Sequence, residues 1–256
     1  MIHLCDFFIL LYDLGIFLQT NDKQDKIIDM FNEIAPTYDR ANRILSMGID
    51  ISWRKKACSI TYNNYNKQEI KLIADIACGT GDMMHYWQKE ATKKEIKIEK
   101  ILGIDPSFGM VEVAKKKFPD FNFVISNATD IPLENESVDI LSISYGIRNV
   151  VERQKAFFEF ARVIKKGGYV VILEFTKDDK KGIISSLKRF YLNKVLPFIG
   201  GLISKNYKAY RYLPDSIEGF LTSSMLQKEL NIAGFETEYA KSFSMNICTL
   251  IIAKKC

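Results

Sequence analysis

Histidine is almost missing from this chain: 256 residues hold only His3 and His85. A catalytic histidine dyad or a histidine-rich metal cluster has little raw material here. The five cysteines, Cys5, Cys58, Cys78, Cys248 and Cys256, are scattered, odd in number and without a C-x-x-C pair. That argues against a disulfide framework or a zinc site, and for a reducing, cytoplasmic compartment. A large net charge is missing as well, since 36 basic and 31 acidic residues leave only +5. Dispersed as it is, this excess makes no nucleic-acid footprint. The apolar stretch from Phe7 to Leu18 contains Asp13 and falls short of the roughly 20 residues that span a bilayer. Without a preceding Lys or Arg it is also a poor secretory signal. Three readings of it stay open: a packed core helix, an interfacial anchor, or an extension from an upstream start codon.

What is present is ordinary globular composition, 47% hydrophobic and 26% charged, enough for one large domain. We expect residues 1–24 to form the apolar extension and 25–256 a single domain. Helical spacing runs from Asp25 to Ala35 and stops at Pro36, and another helix is expected from Trp53 to Ile60. Asn63–Gln68 reads as a connector. Lys71–Ala77, Lys100–Asp105, Phe121–Ser126, Val138–Ser144 and Tyr169–Phe175 read as buried strands. Helices are expected from Asp82, from Ser107 to Lys117 and from Glu152 to Lys165. This alternation predicts an α/β fold with a doubly wound, mostly parallel sheet. A helical cap is expected over about 183–214, then a helix from Ser216 to Ala233 and strands Phe235–Phe243 and Asn246–Lys254.

The sharpest local feature is Asp75-Ile76-Ala77-Cys78-Gly79-Thr80-Gly81-Asp82, which leaves the first strand and opens a helix. Gly79 and Gly81 let backbone approach a ligand, and the helix start offers free N–H groups. A plain strand–helix turn would look the same. Met84 stands where a dinucleotide fingerprint needs its third glycine. Asp82 places a carboxylate where a pyrophosphate would sit, so a ligand carrying ammonium and sulfonium groups fits better. Asp105, ending the second strand, suits the two hydroxyls of a ribose, or is a dipole-stabilised carboxylate. Asn127-Ala128-Thr129-Asp130 follows the third strand and can grip an adenine edge, or form an Asx turn. Ser144 ends the fourth strand, beside Tyr145-Gly146-Ile147-Arg148-Asn149. These groups converge on one sheet edge.

Longer blocks carry a resemblance. Phe31-x-x-Ile34-Ala35-Pro36-x-Tyr38-Asp39-x-x-Asn42, Leu45-Ser46-x-Gly48, Trp53-Arg54, Tyr145-to-Asn149, Leu173-Glu174-Phe175 and Tyr210-Arg211-Tyr212-Leu213-x-x-Ser216-Ile217 closely resemble the ubiquinone/menaquinone biosynthesis C-methyltransferases. The likeness runs from about Lys26 to Lys254. It implies a seven-stranded class I methyltransferase fold, Rossmann-like, and S-adenosylmethionine as methyl donor without a metal. It also implies a polyprenyl quinol acceptor, most readily demethylmenaquinol. Carried over position by position, Thr80, Asp105, Asn127, Ala128 and Ser144 would contact the donor. Three features depart from the family pattern: Cys78 in the loop, Ala41 between Tyr38-Asp39 and Asn42, and the run from Ser244 to Cys248.

The resemblance also frames the chemistry. A quinol carbon becomes nucleophilic when a neighbouring hydroxyl is deprotonated. Arg148, whose pKa lies above about 12, is no ready base; we expect it to stabilise the phenolate and orient a water, with Asn149 fixing the geometry. Tyr38 and Asp39 are candidates for closing over the donor. A structural ion pair of Arg148 with a neighbour such as Glu152 is the alternative. Phe190, Tyr191, Leu196, Phe198 and Ile199 could line a prenyl groove or pack on the core. Peripheral contact with a membrane and a homodimer are both compatible with the sequence. The competing functions are a nicotinamide oxidoreductase, a methyltransferase for another small molecule, and a non-catalytic lipid-binding subunit.

Overall fold

The computed structural model describes residues 22–177, 191, 194, 197–199, 207–244 and 246–256. Seven strands, β1 (Glu69–Ile76), β2 (Lys97–Ile104), β3 (Asn122–Val124), β4 (Val138–Ser144), β5 (Ile164–Glu174), β6 (Phe235–Phe243) and β7 (Cys248–Lys255), form one sheet in the order β3-β2-β1-β4-β5-β7-β6. The first five pair in parallel. Strand β7 runs antiparallel between β5 and β6, as the closing hairpin in the sequence requires. The order reverses between β1 and β4, which opens a crevice beyond the strands' C-terminal ends.

Helices cover both faces. They are α1 (22–34), α2 (Tyr38–Leu45), α3 (Ile49–Tyr65), α4 (Asp82–Lys93), α5 (Phe108–Lys117), α6 (Arg153–Val163), α7 (Tyr207–Glu218) and α8 (Ser223–Ile232). The alternation along β1 sorts two cores. Ile73 faces Trp53, Cys58 and Trp87 of α3 and α4, whereas Ala74 and Ile76 face the side of Phe157, Phe160 and Leu230 of α6 and α8. A third cluster, including Ile34, Ala41, Leu45 and Met110, binds α1 and α2 to α5, to Ala209 of α7 and to Tyr191 and Ile199.

Several boundaries differ from the sequence expectations. Helix α1 is already formed at Asp22, three residues before the expected start. Helix α3 extends in both directions and ends only where Asn66 turns left-handed at φ 50°, a conformation asparagine tolerates. The helix expected to reach Lys165 stops at Val163, because Ile164 already pairs with Val138. Gly167, at φ 74°, then lies inside β5, where the pairing skips residues. The single helix expected over Ser216–Ala233 is two. α7 starts at Tyr207 and ends before Gly219, and the Thr222 hydroxyl caps α8 by accepting the Met225 N–H at 3.3 Å. Of the expected cap, Phe190 and Leu196 lie outside the described residues, as does the segment before residue 22.

Candidate active site

A cleft of about 1060 Å³, its open mouth included, lies at the switch point between β1 and β4. Of the residues expected at the site, Gly79, Asp105, Asn127, Ala128, Ser144, Asn149 and Tyr38 line it. Thr80, Gly81 and Arg148 stand behind this wall.

The floor is made by loops leaving the strands. Gly79 at φ 55° and Gly81 at φ 84° shape the turn after β1. Gly146 follows β4 so closely that a Cβ there would sit 2.6 Å from the Ala77 Cβ; only glycine permits this approach. Asp105 is buried, and both carboxylate oxygens accept backbone N–H groups, Oδ2 from Gly79 and Oδ1 from Ser107, each at 2.8 Å. Burial nevertheless raises its pKa to about 6, against the pull of those two bonds. An added pair of O–H donors would favour the ionised form. Ser144 supplies a second opening, since its buried hydroxyl has no partner among the described residues. A buried orphan polar atom facing a cleft is a place for ligand hydrogen bonding. Asn127 and Thr129 complete this side in a turn closed by Asp130 N–H donating to the Asn127 carbonyl at 3.2 Å. The donor set therefore fits a ribose and a polar heterocycle, as S-adenosylmethionine presents.

Thr80 does not face the cleft. Its hydroxyl donates to Asp39 at 2.6 Å, fastening the loop to α2. Asp82 is also turned away, and its carboxylate is held by Arg43 and Lys117. Burial would raise its pKa, but Arg54, Lys117 and Arg43 outweigh that and lower it. The idea that Asp82 repels a phosphate in the loop is thus overturned, because its charge is already compensated. Met84 is fully buried in the α4 core, so its place in the loop argument reduces to packing.

The far wall carries Tyr38, Tyr145 and Asn149. Burial raises the Tyr38 pKa, with Arg148 and Arg54 opposing it, so its phenol stays protonated near neutrality. Asn149 is gripped at its oxygen by the Tyr212 hydroxyl at 3.0 Å, and its amide faces the Tyr145 carbonyl at 3.4 Å. Arg148 does form an ion pair, but with Glu174 rather than Glu152. Nη1 reaches Glu174 Oε1 at 2.7 Å, the two side chains being 6% and 0% exposed. Nη1 also donates to the Tyr145 carbonyl, and Nε to Ser216 at 3.3 Å. Glu152 instead pairs with Lys155 and borders the cleft. Burial raises the Glu174 pKa while Arg148 and two backbone N–H groups pull it back.

Sequence reasoning missed the roof. Gln24, Asp25, Ile27, Ile28 and Phe31 of α1 all border the cleft, and the Gln24 side-chain oxygen accepts the Val151 N–H at 3.0 Å. The apolar spacing of α1 was readable; its docking across the cleft was not. Gln24 also ties residues 22–24, expected in the extension, to the domain. Glu174 and Tyr212 stood within motif blocks but without an assigned role.

Comparison with known proteins decides the family. The model of the ubiE/COQ5 methyltransferase family matches residues 19–255. The chain belongs to that family. It is 60% identical over 233 residues to a Campylobacter jejuni protein named ubiquinone/menaquinone biosynthesis C-methyltransferase UbiE, covering 91% of this chain and 99% of the relative. A Thermotoga maritima demethylmenaquinone methyltransferase is 35% identical, covering 84% and 90%. Among solved structures, an Aquifex aeolicus SAM-dependent methyltransferase shares the fold at TM-score 0.54 and 18% identity, covering 78% and 89%. A Thermotoga maritima SAM-dependent methyltransferase does so at 0.59 and 20%, covering 90% and 100%. This family member is therefore an S-adenosylmethionine-dependent methyltransferase on the class I fold.

Proposed function

We propose that this methyltransferase acts on a ring carbon of a polyprenyl quinol in menaquinone or ubiquinone biosynthesis, with demethylmenaquinol as the favoured acceptor. The relatives' names support the acceptor class. The observation that carries the reading is one cleft with Asp105 and the free Ser144 hydroxyl on one side and Tyr38 and Asn149, backed by Arg148, on the other. S-adenosylmethionine, when bound, supplies a methyl group already activated on sulfur. The chain's task is then to orient the acceptor, exclude water and stabilise charge.

Arg148, behind the wall and paired with Glu174, acts on the phenolate that the acceptor must form by fixing Tyr145 and Asn149 and by its positive charge; its guanidinium cannot itself be the base. Asn149, pinned by Tyr212, fixes the acceptor's position. Tyr38 offers a protonated phenol to an acceptor oxygen. On the donor side, Asp105, Asn127, Ala128 and Ser144 hold the nucleoside, with Gly79, Thr80 and Gly81 shaping the loop beneath it. The acceptor's prenyl tail also implies peripheral contact with the membrane. No helix among the described residues is long and apolar enough to cross one.

The test is transfer of labelled methyl to reduced demethylmenaquinol and to the corresponding benzoquinol, run side by side. Label in the naphthoquinol is expected. No label in either, from protein that binds S-adenosylmethionine, refutes the reading.

A further inference from the structure

The turn between α2 and α3 breaks the rule that apolar side chains are inside. Ile44, Met47 and Ile49 are 46%, 78% and 40% exposed. Met47 sits at the tip with φ 50°, followed by Gly48 at φ 75°, so the turn projects its side chains outward. Scattered exposed hydrophobes are ordinary, but a contiguous group marks a contact surface.

Charge says what the contact is. Between residues 40 and 60 lie five basic residues, Arg40, Arg43, Arg54, Lys55 and Lys56, and one acidic residue, Asp50. Asp50 is buried and held by Arg43 and Arg54. The turn therefore shows solvent apolar side chains flanked by the exposed cations Arg40 and Lys56, with no exposed carboxylate in this stretch. Lys194 and Phe198 are exposed as well, and nearby in the chain the Tyr191 hydroxyl reaches α2 by donating to the Leu45 carbonyl at 2.6 Å. Exposed apolar side chains in a stretch whose exposed charges are all positive match an anionic lipid surface; a protein partner of matching shape would be expected to meet some paired charge.

An apolar cluster also connects this segment of the chain to the cleft. Tyr38, at the start of α2, lines the cleft, and Ile44 lies six residues further along, about 9 Å at the helical rise. The intervening inner face belongs to the cluster that joins Phe31, Tyr38 and Met110 at the cleft to Leu45, Ile199 and Leu213. We propose that the α2–α3 turn, through Ile44, Met47 and Ile49, is the surface by which the protein docks on an anionic bilayer. The apolar cluster behind it is then the route along which the acceptor's tail leaves the cleft. The second statement rests on the quinol reading; the first does not.

The probe is a suspension of phosphatidylcholine vesicles made with and without phosphatidylglycerol. The full chain should sediment with the anionic vesicles, weakly with the neutral ones, and less as salt rises. Ile44→Gln/Met47→Asn/Ile49→Gln should lower the partition at least about tenfold while still binding S-adenosylmethionine and still methylating a short-tailed quinol in detergent. Met47→Asn alone, which suits a left-handed turn, guards against misfolding of the triple variant and should give an intermediate loss. Equal sedimentation of wild type and variants overturns the proposal, as does failure of the wild type to bind anionic vesicles. A variant that keeps vesicle binding but shifts from dimer to monomer in sedimentation velocity overturns it in favour of a second copy of this chain. If vesicle binding behaves as stated and no quinol is methylated, the docking surface stands and the acceptor reading falls.

Discussion

Replacing Arg148 with Ala tests two roles at once, and the structure predicts how they separate. Glu174 is fully buried and relies on Arg148 Nη1 at 2.7 Å, with the Phe175 and Arg148 N–H groups as further donors. Removing one partner of a buried ion pair typically costs about 3–5 kcal/mol, or roughly 10 °C in a chain of this size. The loss must depend on pH. Even with Arg148 present, burial holds the Glu174 pKa above its ordinary 4.5, and without the guanidinium it rises further. A carboxyl whose folded pKa exceeds its unfolded one favours the fold below the unfolded value and loses that contribution as pH climbs through the folded value. The deficit of Arg148→Ala should therefore be small near pH 4.5 and reach its full size above neutrality. Urea unfolding of wild type and variant at several pH values measures it. Arg148→Ala/Glu174→Gln, which removes the orphaned charge, should recover most of the stability at pH 8. Turnover of that stable double variant then isolates the catalytic role, and a fall of at least about a hundredfold is expected for loss of an electrostatic stabiliser. A pH-independent deficit, or a double variant no more stable than the single one, would refute the ion-pair reasoning; near-normal turnover would refute the catalytic role.

Two further outcomes concern the donor side. Asp105 titrates at about 6 in the free protein, and hydroxyl donors select its ionised form. Calorimetry should find S-adenosylmethionine affinity flat above pH 7 and falling by up to about tenfold per unit below 6; Asp105→Asn should weaken binding and flatten that profile. The Ser144 hydroxyl has no partner to lose, so Ser144→Ala should change unfolding by less than about 0.5 kcal/mol while weakening donor binding several-fold. Equal affinity in that variant would remove Ser144 from the site.

The sheet was legible because its central strands are buried on both faces. The run from Ile73 to Ile76 and the whole of Val138–Ser144 read as strands without any tertiary knowledge. Asp105 and Ser144 were legible for the same reason, since strand ends in a parallel sheet converge. What escaped were features set by long-range contact. Gln24 reaches Val151 across 127 positions, and Arg148 finds Glu174 on β5 rather than a neighbour on its own segment. Local spacing made Glu152 the natural partner; the pairing of β4 with β5 made Glu174 the actual one. Helix ends erred where tertiary pairing overrode propensity, as at Ile164.

The blocks that carried resemblance without evident chemistry, around Asp39, Ser46 and Arg54, turn out to share one charge network beneath the donor loop. Asp39 takes the Thr80 hydroxyl and Lys117, Asp82 takes Lys117 and Arg43, and Asp50 takes Arg43, Arg54 and the Ser46 hydroxyl. Three carboxylates and three cations thus tie α2, α3 and α5 to the start of α4, with Arg54 also lying 4.9 Å over the Tyr145 ring. Burial within the network is uneven, so its members should differ in weight. Asp50 and Arg54 are 5% and 7% exposed; Asp50→Ala leaves Arg54 charged and buried, and should cost about 3–5 kcal/mol. Lys117 is about a third exposed at its side chain, so Lys117→Ala should cost no more than about 1 kcal/mol. Its effect should appear instead in donor binding, because Asp39 and Asp82, no longer bridged by Lys117, then tie the Gly79-Thr80-Gly81 loop to α2 through Thr80 and Arg43 alone. If unfolding experiments found Asp50→Ala as cheap as Lys117→Ala, the network would be a surface decoration and the loop would owe its position to its glycines alone.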